Sequence, residues 1–192
     1  MSDNTGEDDP RQGDTRARVH PRTRGDTHLQ GDARMRVRAL LASERVMTLA
    51  SIGADGPWTA PVFYAERFDA DRALRLVFVS SPSSRHVREL LADARAAAAI
   101  HADANDWRTI RGVQVAGRVR ALEGESLRAA REDYARKFPE IGLAAQAAEP
   151  IARAFARVRW FALHVERVFL TDNAKAFGRR DEVVYESTGG NT

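Results

Sequence analysis

Residues 74–91 change their hydrophobic period from two to 3.6 within a few positions, and this switch restricts the chain more than any other stretch. Leu74, Leu76 and Phe78 alternate with Arg75, Val77 and Val79, the pattern of a strand. The pattern breaks at Ser80-Ser81-Pro82. It restarts as a helix, because Val87, Leu90, Leu91 and Ala94 fall at i, i+3, i+4 and i+7. Ser83 or Ser84 is a natural N-cap. Arg85 and His86 sit in the first helical turn, where a cation faces the positive end of the helix dipole and is unfavourable on its own. Hydroxyls, cationic side chains and free backbone N–H groups converging there make sense around an anion, and a phosphate is the obvious one. The plain alternative is a capped surface helix with solvated Arg and His.

Around this junction the chain reads mainly as strands. Asp32 is expected to cap a helix running to Glu44, with Val37, Leu40 and Leu41 inward. Val46–Ile52 and Trp58–Arg67 flank the turn signal Ala54-Asp55-Gly56 and read as a hairpin. Pro61 in the second strand asks for an edge, a bulge or a strand start there. Arg95–His101 is an Ala-rich strand, and Thr109–Leu122 a long one with Gly112 and Gly117 as marks of a bulge or a close approach. Ser126–Phe138 reads as a helix with Leu127, Ala130, Tyr134 and Phe138 in line, ended by Pro139. A helix around Ile151–Val158, a strand Trp160–Leu170, a turn at Thr171-Asp172-Asn173 and a loop at 176–180 follow. No regular strand–helix alternation exists, which argues against a doubly wound parallel sheet. Six antiparallel strands with helices at the corners suggest a small closed barrel.

Composition removes several kinds of chemistry. The chain has no Cys, so disulfides, thiolate nucleophiles and Cys-ligated metals are excluded. No apolar run approaches the roughly 18 residues of a membrane helix, and the N-terminus lacks the apolar core of a signal peptide, so a cytoplasmic protein without a membrane partner is expected. The five His, at 20, 28, 86, 101 and 164, show no metal-ligand spacing, and no metal is expected. Nucleophile elbows, phosphate-binding Gly loops and zinc-protease motifs are absent. Residues 1–31 carry too little apolar surface to offset their ordering entropy and read as a disordered tail before a folded domain of 32–186 and a frayed end of 187–192. Residues 11–38 hold eight Arg against Asp14, Asp26 and Asp32. Such a tail can touch nucleic acid, but it has no aromatic residue to stack on bases, and a nucleic-acid partner is not expected.

Three pieces in this order resemble one known family. They are the hairpin ending Ala60-Pro61-Val62-Phe63-Tyr64, the junction with Ser81, Ser84, Arg85 and His86, and the strand Ile110-Arg111-Gly112-Val113-Gln114-Val115-Ala116-Gly117-Arg118-Val119. The sequence is similar to the FMN-binding split-barrel superfamily, the pyridoxamine 5′-phosphate oxidase-like proteins. The run Thr171-Asp172-Asn173 to Phe177-Gly178-Arg179-Arg180 narrows this to the YhbP-like subgroup. The resemblance covers about residues 34–182.

The resemblance implies a mainly β fold, a six-stranded Greek-key split barrel with flanking helices. It implies a homodimer with flavin sites at the interface, and an oxidoreductase passing hydride between FMN and a small-molecule substrate. Val62 and Phe63 would lie along the flavin ring with their backbone. Ser81, Ser84, Arg85 and His86 would hold the phosphate, and Gln114 and Arg111 would approach from the central strand. No catalytic residue is assigned. The C-terminal Trp…Arg-Leu-type signature of the true oxidase is missing, so pyridoxamine phosphate oxidation itself is not expected. The alternative is a non-catalytic protein binding flavin, deazaflavin or haem, with His86, His101 or His164 as the axial ligand of a haem.

Overall fold

Buried and exposed residues alternate along most of the strands, as a barrel wall with one face inward requires. The computed structural model describes residues 24–69, 73–141, 153 and 157–185. In chain order these form α1 (Arg24–Ser43), β1 (Val46–Gly53), β2 (Gly56–Phe68), β3 (Leu74–Ser80), α2 (Arg85–Ala92), β4 (Arg95–His101), β5 (Arg111–Ala121), α3 (Gly124–Lys137), β6 (Arg159–Asp172) and β7 (Arg180–Val183). A short 3-10 turn, Trp107–Thr109, precedes β5. All strand pairings are antiparallel, in the order β3-β2-β1-β4-β5-β6-β7. The first half of β6 also pairs with β3, Arg75 opposite His164 and Ser80 opposite Arg159, and this closes a six-stranded barrel.

Inside the barrel lie Met47, Leu49, Val62, Tyr64, Leu76, Phe78, Ile100, Val113, Val115, Phe161 and Leu163. Phe78 and Phe161 stack at 5.4 Å. One end is covered by α1, through Val37, Leu40 and Leu41. The outside of β2, β3 and β6 is covered by α3, where Ala130, Tyr134 and Phe138 meet Ala65, Val77 and Ala162. The Tyr64 hydroxyl donates to the Leu41 carbonyl at 2.9 Å and so ties barrel to cap.

Several expectations change. The helix expected to begin at an Asp32 cap starts at Arg24, so Asp32 lies within it. Tertiary hydrogen bonds explain the extra turns. Gln30 grips the backbone of Glu182 and Val184, and Arg34 donates twice to the Val184 carbonyl. Their acceptors are some 150 residues away in the chain and leave no local signal. The strand β7 is a seventh, unforeseen one, appended to the second half of β6. Leu91, placed on the inner face of α2, is exposed, because the buried stripe of that helix runs through His86, Val87 and Leu90, with His86 in place of Leu91. Residues 151, 152 and 154–156 of the helix expected near 151–158, residues 1–23 of the tail and the end beyond Tyr185 lie outside the described residues.

Two readings hold. The β5–β6 register shifts between Ala116 and Gly117, the bulge that Gly117 suggested. Pro61 sits where β2 has one neighbour. Tyr64 N–H donates to the Arg45 carbonyl opposite it, so even-numbered residues of β2 point their N–H groups at β1 and Pro61 faces away.

Candidate functional site

The site begins where β2 and β3 part. Their pairing ends at Tyr64 opposite Phe78. Among the described residues, β2 has only β1 beside it towards its N-terminus, while Val79 and Ser80 pair only with β6. The backbone groups of Thr59, Pro61 and Phe63 on that edge therefore have no strand partner among the described residues. The other lip of the split is the turn Ser80–Ser84 and the start of α2. Of the two β2 residues singled out in the sequence, Val62 points into the core and offers only its backbone. Phe63 points out, against the edge of Phe138 at 5.4 Å.

At the second lip the hydroxyls form a linked set. Ser80 Oγ lies 2.7 Å from His86 Nε2 and 3.3 Å from Ser84 Oγ, and Ser81 Oγ lies 2.8 Å from Ser83 Oγ. Ser84 occupies the N-cap position, yet its hydroxyl donates backwards to the Ser81 carbonyl instead of capping. The amides of Arg85, His86 and Val87 thus keep no acceptor inside the helix. Burial pushes the His86 imidazole below its ordinary pKa, so it stays neutral and the positive charge comes from Arg85 and Arg88. The Arg85 guanidinium lies over the Trp58 ring at 4.5 Å, and its Nε donates to Glu89 at 2.7 Å. Glu89 also accepts from the Ser51 hydroxyl at 2.6 Å. These contacts draw the helix start back onto the tip of the β1–β2 hairpin and close one end of the split. Trp58, Glu89, Ser51 and Ser80 had not been singled out. An Arg85–Glu89 pair at i, i+4 reads as an ordinary surface ion pair, and nothing in the sequence joins it to Ser51.

The outer face beside the split is lined by small residues. The registers place Gln114, Ala99, Thr48 and Pro61 in one row across β5, β4, β1 and β2. The next row contains Ala116, Ala97, Ala50 and Thr59. Among the described residues no helix covers β5, β4 and β1 on this side, and Val46, Ile52 and Phe63 stand on the face at 44%, 50% and 47% exposure, Phe63 where it meets the end of α3. Gln114 projects here. Arg111 is an odd number of residues away and takes the opposite side of β5. There it lines a 170 Å3 cavity with Arg36, Ala39, Leu40, Leu170 and Asp172 under α1. The fold therefore brings Ser81, Ser84, Arg85 and His86 together, sets Phe63 and Gln114 on one outer face, and separates Arg111 from both. His101 is exposed at the end of the same face, one row from Gln114. His164 is half-buried beside Arg75, and burial lowers its pKa.

A six-stranded antiparallel barrel split at one seam, with a hydroxyl- and guanidinium-bearing helix start on the lip, defines the pyridoxamine 5′-phosphate oxidase-like class. The chain belongs to this family and, within it, to the YhbP-like UPF0306 proteins. The family described as pyridoxamine 5′-phosphate oxidase matches residues 34–172. The UPF0306 protein YhbP of Salmonella paratyphi A is 30% identical over 140 residues, which are 73% of this chain and 85% of that protein. Among solved structures, a heme binding protein from Mycobacterium smegmatis is similar at a TM-score of 0.59 and 28% identity, over 77% of this chain and 55% of that one. The chain thus spans about half the length of that protein. An FAD-binding protein from Mesorhizobium loti shares the fold at a TM-score of 0.51 and 23% identity, over 70% of this chain and 90% of the other. The fold is thus one whose members include haem- and flavin-binding proteins.

Proposed function

We propose that the protein binds FMN in the split between β2 and β3 and works as an oxidoreductase on a small organic molecule. One observation carries this reading. An unpaired strand edge faces a helix start that offers hydroxyls, guanidinium groups and free amides, beside a flat wall of small residues. The free amides, Ser81, Ser84, Arg85 and Arg88 suit a phosphate. The β2 edge at 59–63 and the wall of Ala50, Ala97 and Ala99 suit a planar ring. The residues present fit the cofactor in charge, donor type and shape. When bound, FMN supplies hydride transfer, and the chain supplies binding, orientation and exclusion of water. His86, kept neutral, orients Ser80 and Ser84 and adds no charge. Family membership supports the same reading.

The face, which no described helix covers along β5, β4 and β1, supports a homodimer. Its exposed Val46, Ile52 and Phe63 and the small residues between them would seat a second copy and enclose the ring between subunits. Sedimentation or light scattering tests this, and a monomer at micromolar concentration would remove the shared site.

The direct test of the cofactor is FMN titration of the parent and of Arg85→Ala. Loss of a charge-assisted hydrogen bond, about 1.5–3 kcal/mol, should weaken binding roughly ten- to a hundredfold. Equal affinity in the variant would sink the phosphate assignment. A second reading is haem binding, favoured by the similarity to the M. smegmatis protein and by the exposure of His101 on the outer face. A Soret band that disappears in His101→Ala would support it.

A further inference from the structure

The segment Thr171–Arg180 has a consistent geometry that the reading above does not use. The carbonyl of Asp172 accepts from the N–H groups of Lys175 and Ala176. The Asn173 side chain donates to the Trp107 carbonyl at 2.7 Å and accepts from the Gly178 N–H at 3.4 Å. Gly178 has φ of 70°, a conformation that other residues rarely adopt. Phe177 meets Trp107 edge-on at 4.6 Å. The loop is thereby fixed to the β4–β5 connection and delivers Arg180 to the start of β7, opposite Thr171.

Arg180 then crosses to β5. Its Nη1 donates to Gln114 Oε1 at 3.1 Å, and its guanidinium covers the Phe169 ring at 4.7 Å. Phe169 is the cross-strand neighbour of Gln114, and Arg167 lies against the same ring at 4.8 Å. Arg180 forms no ion pair among the described residues. With the Gln114 oxygen occupied, the free branch of that amide is its NH2 group. The outer face therefore carries a donor pair, amide and guanidinium, next to the wall of small residues.

We propose that Arg180 is a positioning residue for the ligand on this face, holding Gln114 so that the site recognises a planar ring edge rich in acceptors, such as the dione edge of a flavin. The proposal rests on the flavin reading. The positive charge of Arg180 also favours whichever redox state of the ring is more negative, the reduced one. This gives the Thr-Asp-Asn…Phe-Gly-Arg-Arg run a role: it places one guanidinium.

The test is FMN titration and the flavin midpoint potential of the full chain as parent, Arg180→Ala, Arg180→Lys, Gln114→Ala and the double variant Arg180→Ala/Gln114→Ala. Arg180→Ala should lose about tenfold in FMN affinity. Its affinity for reduced FMN should fall about tenfold further, which lowers the two-electron potential by about 30 mV. Arg180→Lys keeps the charge without the planar fork. It should restore the potential and leave the affinity low. In the double variant the affinity losses should not add, because one residue acts through the other. Parent-like affinity and potential in Arg180→Ala, or additive losses in the double variant, would overturn the proposal while leaving the flavin reading intact. A parent protein that takes up no FMN would overturn both.

Discussion

Glu89 holds the Arg85 guanidinium at 2.7 Å and the Ser51 hydroxyl at 2.6 Å, and these hydrogen bonds keep its carboxyl below the usual carboxylate range. A phosphate at the start of α2 has to draw the same guanidinium away. Glu89→Gln should therefore raise FMN affinity, by up to about tenfold, or 1.4 kcal/mol. Calorimetric titration measures it. A fall in affinity would mean that Glu89 orients Arg85 and does not compete with the ligand. At this scale the sequence was readable where partners are local. Ser81, Ser84, Arg85 and His86 lie within one turn, and hydroxyl and cationic groups at a helix start form a recognisable pattern. Glu89–Ser51 and Gln114–Arg180 join residues 38 and 66 positions apart, and no spacing rule reaches that far. The parity of β5, which puts Arg111 and Gln114 on opposite faces, follows from counting along the strand, whereas the family resemblance implies one ligand for both.

The elements were readable in proportion to their hydrophobic pattern. The strands β1 to β6 carry alternation or continuous apolar runs, and α3 carries a buried stripe. The strand β7, Arg-Asp-Glu-Val, has four residues and no inward periodicity until Val183, so the pattern gives no strand there beyond the loop at 176–180. Gly117 shows the opposite case, a single residue that announces its element's shape. A Cβ there would lie 2.0 Å from the His164 carbonyl oxygen, and backbone cannot move aside as a flexible side chain can. Gly117→Ala should cost about 3 kcal/mol of stability through forced separation of β5 from β6. Urea unfolding reports it, and a loss below about 0.5 kcal/mol would show that the bulge can slide.

For the whole molecule, two imidazoles, His86 buried and His164 half-buried, couple stability to pH just below neutrality. Burial lowers the pKa of both His86 and His164 below the ordinary value of about 6.5. Well above that value both are neutral, folded or unfolded, and contribute no pH dependence. As pH falls through about 6.5 the unfolded chain gains protons that the fold resists, so stability declines until the folded pKa values are passed. Thermal unfolding between pH 7.5 and 5 should show a falling midpoint, and His86→Gln should flatten the slope. An unchanged slope in that variant would locate the dependence elsewhere.

The strand β6 touches three neighbours, β5 along its length, β3 in its first half and β7 in its second. It is also synthesised after β1 to β5. Until Arg159 and the residues after it emerge, β1 to β5 can form only an open sheet, with β3 as a bare hydrophobic margin able to zip onto the same margin of a neighbouring nascent chain. Closure of the barrel thus waits on β6, and a cell making the protein on crowded polysomes has reason to shield β3 until that strand arrives.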